Sequence, residues 1–436
     1  MSGRGLRRGG VILLAVALLT SACGSSNASV DASFGRDDPV PPTEPTLAAT
    51  DTPSTTASPD DASTTTTTAD TTDTTTVPAT TAPVTTVLVA PASTTTAPTT
   101  VPAPTTTTLP PLVPVEPIPA AEAPDRAPVD PSFGATNAAF DRLAANNVGA
   151  SLSVVRGGEL VVSRATGLTV DGSPATGDTP FVVASVSKLV LGVALARLHQ
   201  QGLIDVAEPV PWGEIGIWPG NGWTDVTLWE LMNHSAGVPV ARSTWFTGGA
   251  RCEEHIVPLV SSPPRGHRGT WTYSNGNYCL LGMVIEARTG LPLDEAVQQL
   301  VFDPVGADGV HLTLDGLLPG DMPHPHGAGV QRLSRLGGAG TLVVSTDDLA
   351  LAVGRLTDAD VEIVRRGVFV DQYGFGHTGT VDGAKACTWW LDGGDTVISA
   401  TIAGDARSTG GAVCDLVIPA IATDLGIAAG RPNRSS

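Results

Sequence analysis

Phe181-Val182-Val183-Ala184-Ser185-Val186-Ser187-Lys188-Leu189-Val190-Leu191-Gly192 is the most informative stretch of the chain, because an apolar run gives way there to a helical pattern around a serine and a lysine. Residues three apart on a helix share a face. We therefore expect Ser185 to open a helix and the Lys188 amine to lie within reach of its hydroxyl. A serine hydroxyl is a weak nucleophile at neutral pH and needs a neighbouring base. Taken alone, Ser185 is more simply interpreted as a helix N-cap.

A second motif, Tyr273-Ser274-Asn275, supplies a phenol and an amide. An unperturbed tyrosine has a pKa of about 10, and a nearby ammonium group favours its phenolate. Placed beside Lys188, Tyr273 would take the Ser185 proton and later return it to a leaving group. Asn275 would orient an acyl group or Lys188. In isolation, Tyr273 is more simply a packing residue whose hydroxyl is satisfied.

The third motif is His377-Thr378-Gly379, in a stretch with glycines on both sides. Glycines in a strand let a substrate backbone approach closely. The N–H of Thr380 would pair with the N–H of Ser185 as an oxyanion hole, aided by the partial positive charge of a helix start. Alone, His377 is more simply an ordinary strand histidine.

In this order the motifs resemble those of the class C β-lactamase and D-alanyl-D-alanine peptidase superfamily, which also contains esterases and aminopeptidases. The resemblance covers about residues 149–425. It implies an α+β fold of the β-lactamase/transpeptidase type, an antiparallel sheet flanked by helices with an all-helical insert. It also implies the site roles: Ser185 as acylated nucleophile, Lys188 as its activator, Tyr273 as general base and acid, and Asn275, His377, Thr378, Gly379 and Thr380 as substrate-binding residues. No metal or organic cofactor is implied.

The function expected from this resemblance is that of a serine hydrolase that forms an acyl-enzyme on a small-molecule or peptide substrate. A D,D-carboxypeptidase or related peptidase acting on cell-wall peptides ranks first, an esterase second and a β-lactamase third. His377 stands where β-lactamases usually carry lysine, and histidine is mostly neutral at pH 7. If the substrate has a carboxylate, we expect protonated His377 to bind it and activity to decline as pH rises through its pKa. A non-catalytic cell-wall or penicillin-binding protein is the alternative from another class.

The N-terminus predicts export. Three arginines precede an apolar run at residues 11–19, followed by Thr20-Ser21-Ala22-Cys23. This run is too short to span a bilayer as a mature helix. The segment resembles a bacterial lipoprotein processing site, which implies a signal peptide at residues 1–22, lipidation of Cys23, and a membrane-anchored lipoprotein on the outer face of the cytoplasmic membrane. An ordinary signal peptide cut near Ala22 is the alternative.

Composition divides the rest of the chain in two. Residues 23–127 are rich in Thr, Pro, Ala, Ser and Asp and have no apolar periodicity, which predicts a disordered tether. Residues 128–430 are long enough for one hydrolase domain with a substantial core. The formal net charge of −19 argues against nucleic acid as a partner. We expect a monomer.

The cysteine count agrees with export. Once Cys23 is assigned to lipid, an even number remains, which is typical of disulfides in an oxidising compartment: Cys252, Cys279, Cys387 and Cys414. Three pairings are possible. Closeness in sequence favours Cys252 with Cys279 and Cys387 with Cys414. Four free buried thiols are the alternative.

Local patterns predict the elements around the motifs. Two β-rich runs flank Gly157-Gly158 as a hairpin, and strands are expected at residues 384–392 and 396–403. Helices are expected at residues 185–201, 278–289 and 412–425, and a capping box starts another at Thr227. His234 is expected to hold a turn. His324 and His326 are interpreted as loop residues rather than zinc ligands, because no acid or cysteine cluster accompanies them.

Overall fold

The computed structural model describes residues 132–240, 251–307, 310–313, 316–325, 327–391, 395–404 and 408–427. The predicted signal peptide, Cys23 and the tether lie outside these residues. Within them, strands β1 (Gly149–Arg156) and β2 (Glu159–Thr166) pair antiparallel. Gly157 and Gly158 join them with φ of 62° and 78°, a conformation that favours glycine. The predicted hairpin is confirmed.

The larger sheet runs in the order β2-β1-β9-β8-β7-β6. Its later strands are β6 (Phe369–Val370), β7 (Gly374–Val381), β8 (Ala384–Leu391) and β9 (Thr396–Ala403). All pairs are antiparallel, and β1 lies beside β9 with Ala150 opposite Ile402. The two ends of the domain sequence therefore meet in the middle of one sheet, and the short β6 lies at its edge beside β7.

One face of this sheet is covered by α1 (Gly134–Ala144) and α9 (Gly410–Leu425). Apolar side chains from helices and strands form a continuous core there, including Phe140, Leu152, Trp389, Ile398 and Ile421. Helix α9 begins where the Thr409 hydroxyl accepts from the N–H of Ala412, and it ends at Gly426 with φ of 63°.

The other face carries a larger core. Its helices are α2 (Ser187–Gln200), α3 (Leu228–Met232), α4 (Cys252–Val260), α5 (Asn275–Thr289), α6 (Leu293–Val297), α7 (Thr346–Gly354) and α8 (Asp358–Val364). A π-helical turn (Gln298–Phe302) and a 3₁₀ turn (Asp303–Val305) follow α6. A small sheet of order β3-β5-β4 adds Phe181–Val182, Leu342–Val344 and His311–Leu312, and a kinked 3₁₀ segment (Gly327–Ala339) precedes β5.

This arrangement is the α+β fold that the sequence predicted, an antiparallel sheet flanked by helices. Helix α2 is buried on every side from Ser187 to Leu198, as expected for a helix that is apolar all round. Among the described helices, none has both the length and the apolar character needed to cross a membrane.

Capping residues explain where several helices begin and end. Thr227 and Glu230 form the predicted capping box of α3, and the Ser345 hydroxyl caps α7. Helix α5 ends at Gly290 with φ of 70°, as predicted, but it begins at Asn275, three residues earlier than expected. The Ser274 hydroxyl accepts from the N–H of Gly276 and supplies this earlier start.

Disulfides join Cys252 to Cys279 and Cys387 to Cys414, each pair 27 residues apart. This is the pairing that closeness in sequence favoured. The first disulfide ties α4 to α5 in the larger core. The second ties β8 to α9 in the core on the opposite face of the sheet.

Candidate active site

Ser185 lies in a short 3₁₀ turn (Ala184–Val186) between β3 and α2, rather than at the first residue of the helix as predicted. Ala184 has a φ of 50°, which is rare for a residue other than glycine. The Ser187 hydroxyl donates to the Ala184 carbonyl over 2.7 Å and accepts from the N–H of Leu342 over 3.2 Å. Ser187 thus secures the strained turn that presents Ser185, a role that the sequence analysis did not identify.

Lys188 lies one helical turn after Ser185 and is fully buried. Its Nζ donates to Ser185 Oγ over 2.9 Å and to the carbonyl oxygen of Ala339 over 2.6 Å. A buried ammonium group needs such acceptors, because burial without them is costly. The predicted proximity of Ser185 and Lys188 is present. The carbonyl of Ala339 is a further partner that no side-chain motif could reveal.

Tyr273 approaches Ser185 from the segment before α5. Its hydroxyl donates to Ser185 Oγ over 3.0 Å, and Lys188 Nζ lies 4.9 Å from the centroid of its ring. The Ser274 hydroxyl donates to the carbonyl oxygen of Pro239 over 2.7 Å and so anchors the segment. Ser185 Oγ therefore has two proton-transfer partners within hydrogen-bonding distance.

Asn275 opens α5 and is buried, and within the described residues its Oδ1 has no hydrogen-bond partner. This oxygen is not exposed, so the expected contact of Asn275 with substrate stays a prediction.

His234 holds the segment that carries Tyr273. Its φ is 61°, and its Nδ1 accepts from the N–H of Ser274 over 3.3 Å and faces Nδ2 of Asn277 at 2.8 Å. Its ring centroid lies 4.6 Å from that of Tyr273. Burial first, then the nearby Lys188 charge, holds the pKa of His234 well below its usual range. The expected turn residue is therefore also a neutral support for Tyr273.

Strand β7 lies against the turn that carries Ser185. The strand packs tightly against the turn at Gly379, because a Cβ at this position would lie 2.1 Å from the carbonyl oxygen of Val183. Thr380 follows, and its hydroxyl accepts from the N–H of Gly410 over 2.8 Å. Only glycine at position 379 lets the strand, and with it Thr380, come this close to Ser185.

His377 is almost completely buried in β7, and its Nδ1–H donates to the carbonyl oxygen of Thr378 over 2.6 Å. Burial first, then the nearby Lys188 charge, lowers the pKa of His377 to about 3, although the Thr378 bond opposes this shift. His377 is therefore neutral near pH 7. The expected contact of His377 with a substrate carboxylate stays a prediction, and the neutral imidazole offers such a group no positive charge near pH 7.

Aromatic rings cluster around Tyr273, whose hydroxyl contacts the candidate nucleophile. Ring centroids lie 4.7 Å apart for Phe369 and His377, 6.4 Å for Phe369 and Tyr273, and 6.4 Å for Trp271 and Tyr273. Trp271 is 51% exposed. We call Trp271, Tyr273, Phe369 and His377 the aromatic rim. Sequence periodicity could not find it, because its members come from three separate segments.

Candidate metal ligands are dispersed in the described part of the chain, where no group of three or more His, Cys, Asp or Glu side chains comes together. Of the two histidines weighed as a zinc site, His326 lies outside the described residues. His324 is buried close to Gly383.

Residues 136–368, more than half of the chain, match the Beta-lactamase family. The esterase EstB of Burkholderia gladioli is 32% identical over 183 residues, which are 36% of this chain and 45% of the esterase. Penicillin-binding protein 4* of Bacillus subtilis is 23% identical over 183 residues, 38% of this chain and 39% of that protein. The chain thus aligns with less than half the length of these curated relatives.

Among solved structures, the D-amino acid amidase from Ochrobactrum anthropi SV3 has a TM-score of 0.56 at 21% identity. The match covers 68% of this chain and 100% of the amidase chain. At this identity the likeness shows the fold. The family match over more than half of the chain shows that the protein belongs to the Beta-lactamase family.

Proposed function

We propose that this protein hydrolyses amide bonds of peptides or amino-acid amides through an acyl-enzyme on Ser185. One observation carries the proposal: Ser185 Oγ lies 2.9 Å from Nζ of Lys188 and 3.0 Å from the Tyr273 hydroxyl. A serine held between an ammonium group and a tyrosine has the base that nucleophilic attack requires once the tyrosine is a phenolate, the form that the neighbouring positive charge favours.

In the proposed reaction, Ser185 Oγ attacks the amide carbon, and its proton passes to Tyr273, whose phenolate the Lys188 charge favours. The backbone N–H groups of Ser185 and Thr380 receive the oxyanion. Tyr273 then protonates the leaving amine as the carbon–nitrogen bond breaks. A water molecule attacks the ester and gives a proton to Tyr273. Tyr273 then returns this proton to Ser185 Oγ as the acid leaves, which restores the phenolate.

The neutral state of His377 restricts the class of substrate that the site suits. Since Nδ1–H donates to Thr378, Nε2 carries the lone pair and accepts hydrogen bonds. A D,D-carboxypeptidase substrate would bring a free carboxylate to this strand, where His377 offers no positive charge. A substrate with an N–H or O–H donor matches Nε2 better. Within the peptidase group expected from the sequence, we therefore favour an amidase or aminopeptidase type of substrate.

The aromatic rim favours an apolar group next to the reacting carbonyl. Trp271 is half exposed and Phe369 is partly exposed, so both present ring surface beside Tyr273. Aromatic rings contribute large apolar contact areas and prefer other rings as neighbours. An amide or peptide with an aromatic side chain is the substrate class that this surface suits.

An esterase is the second candidate, supported by the 32% identity to the Burkholderia gladioli esterase. Esters need the same attack, but their leaving alcohol is easier to expel than an amine. The rim suits an apolar ester equally well. Only comparative kinetics separate the two.

A matched substrate panel tests the proposal. We would measure kcat/KM for a D-Ala-D-Ala peptide with a free carboxyl terminus, the same peptide amidated, phenylalanine amide in both configurations, a p-nitrophenyl ester and a chromogenic cephalosporin. The expected result is that the amidated peptide or an amino-acid amide is the best substrate. Ser185→Ala should remove every activity, and labelling with an active-site serine probe should map to Ser185.

Each other outcome has a definite meaning. Strong preference for the free carboxylate would support the carboxypeptidase, and preference for the ester would support the esterase. Fast turnover of the cephalosporin would indicate a β-lactamase. A label on Ser235 or Ser345, or slow binding of penicillin with no turnover of any substrate, would overturn the proposed mechanism.

The cellular location is proposed from the N-terminal sequence. We propose an exported lipoprotein, anchored through Cys23 to the outer face of the cytoplasmic membrane and held by residues 24–127. The two disulfides support an oxidising compartment. Cys23→Ala should release the protein from the membrane fraction, and a variant that stays bound would overturn the anchor. Sedimentation of residues 128–436 tests the expected monomer.

A further inference from the structure

The Cys252–Cys279 disulfide lies directly against the turn that precedes Ala339. A Cβ on Gly337 would be 2.3 Å from Cys252 Sγ and 3.3 Å from Cys252 Cβ, so the sulfur packs on the Gly337 backbone with no space between them. Gly337 itself has φ of 52° and ψ of −139°. This conformation strongly favours glycine and makes the turn possible.

The neighbouring glycine is held from the other side. A Cβ on Gly338 would be 2.2 Å from a methyl carbon of Leu191 in α2 and 2.8 Å from the carbonyl oxygen of Tyr278 in α5. The Thr341 hydroxyl donates to the carbonyl oxygen of Gly337 over 2.8 Å and closes the turn. Residues 337–338 are therefore wedged between the disulfide, α5 and α2.

Ala339 follows this turn directly, and its carbonyl oxygen accepts from Lys188 Nζ over 2.6 Å. The same Nζ donates to Ser185 Oγ over 2.9 Å. A path of direct contacts thus runs from Cys252 Sγ through the backbone of residues 337–339 to the ammonium group beside Ser185.

We infer that the Cys252–Cys279 disulfide is a positioning element for Lys188 and so sets the efficiency of acylation at Ser185. The inference rests on the proposed role of Lys188. When the disulfide is opened, two sulfurs that were bonded must separate to non-bonded contact, about 3.5–4.0 Å. Gly337 occupies the space on one side of Cys252, so the turn moves and the Ala339 carbonyl shifts away from Lys188.

The second disulfide provides a matched control. Cys387 and Cys414 are also 27 residues apart, so both disulfides constrain the unfolded chain to the same extent. Cys387–Cys414, however, joins β8 to α9 in the core on the opposite face of the sheet, with no contact to residues 337–339. Loss of either disulfide should lower the denaturation midpoint similarly. Only loss of Cys252–Cys279 should disturb Lys188.

The test compares C252S/C279S with C387S/C414S in the purified protein, at a temperature where circular dichroism shows that both are folded. The rate of acylation at Ser185 by an active-site serine probe is measured from acid to alkaline pH. We expect C252S/C279S to lower this rate about 10- to 100-fold, the range for small misplacements near a reacting group. The C387S/C414S variant should stay close to the wild type.

The pH profile separates positioning from a loss of stability. A carbonyl that accepts from an ammonium group favours its charged form, so loss of the Ala339 contact should alter the pH dependence of acylation. This change should occur in C252S/C279S alone. If C252S/C279S does not fold, limited reduction of the folded wild type, with mapping of the opened disulfide, gives the same comparison.

Two results would overturn the inference. The first is an equal loss of acylation rate in both variants with no change in the pH profile. The second is a wild-type acylation rate in C252S/C279S. Lys188→Ala distinguishes the inference from the proposed function. If Lys188→Ala is inactive and C252S/C279S is unaffected, only the positioning role fails. If Lys188→Ala keeps full acylation, the proposed mechanism fails.

Discussion

The imidazole of His377 donates its Nδ1–H to the carbonyl oxygen of Thr378, the next residue in the same strand, over 2.6 Å. A carbonyl can only accept, so this contact assigns the proton to Nδ1 and the lone pair to Nε2. Burial, and then the Lys188 charge, lowers the pKa of His377 to about 3. The strand beside Ser185 therefore carries a neutral hydrogen-bond acceptor at position 377.

The buried histidine predicts a loss of stability in acid. Its pKa is about 3 in the folded protein and near the ordinary value of 6.5 when unfolded. Between these values the unfolded state binds more protons, so the free energy of unfolding falls as pH falls through this window. We expect His377 to account for a loss of about 2 kcal/mol between pH 7.5 and pH 5.

Denaturant unfolding of wild type and His377→Gln at the two pH values measures this contribution. The variant should lose less stability on acidification, while His234 continues to act in the same direction. His267→Gln, at an exposed side chain, is the control and should resemble the wild type. An unchanged pH dependence in His377→Gln would show that His377 is not buried as a neutral group.

A second prediction concerns the two tyrosines around Lys188. Tyr273→Phe removes the hydroxyl 3.0 Å from Ser185 Oγ but keeps the ring, so kcat should fall about 10²- to 10⁴-fold with little change in stability. Tyr278→Phe removes a buried hydroxyl that donates to the carbonyls of Met232 and Gly367. It should cost about 0.5–1.5 kcal/mol of stability and leave kcat nearly intact. The reverse pattern would reassign the general base.

The close approach of β7 to the nucleophile turn predicts the effect of Gly379→Ala. The added Cβ would lie 2.1 Å from the carbonyl oxygen of Val183, so strand and turn must separate. We expect a stability loss of about 1–3 kcal/mol and a fall in kcat of about 10²-fold. Gly213→Ala, where an added Cβ meets nothing within 4 Å, is the control. Normal kcat in Gly379→Ala would mean that this contact does not position the site.

The aromatic rim predicts a change in specificity. Trp271→Ala should lower kcat/KM for p-nitrophenyl phenylacetate, with a loss of about 1 kcal/mol of transition-state stabilisation. The effect on kcat/KM for p-nitrophenyl acetate should be small. Trp218→Ala is the control, because Trp218 is an 82% exposed tryptophan that is not part of the rim. Equal losses for both esters in Trp271→Ala would show that the rim does not contact the acyl group.

Local sequence patterns correctly predict several elements of the fold. The Gly157-Gly158 turn, the Thr227 capping box and the stop at Gly290 depend on contacts within a few residues, and the structure has all three. The sequence predicts a later start of α5 and a position for Ser185 at the first residue of its helix, and the structure differs at both points. In both cases a serine hydroxyl, of Ser274 or Ser187, bonds to nearby backbone and moves the boundary.

The sequence by itself determined the meeting of Ser185 with Lys188, since helical spacing is local. It favoured one of three disulfide pairings through closeness along the chain, and the fold class was implied by the resemblance of the ordered motifs to a known family. Tertiary structure alone decided that Tyr273 reaches Ser185, that Ala339 offers Lys188 a carbonyl, and that His377 is neutral. These properties depend on burial and on atoms brought together from distant segments. Desolvation and long-range contacts arise only when the sheet and its helices pack together.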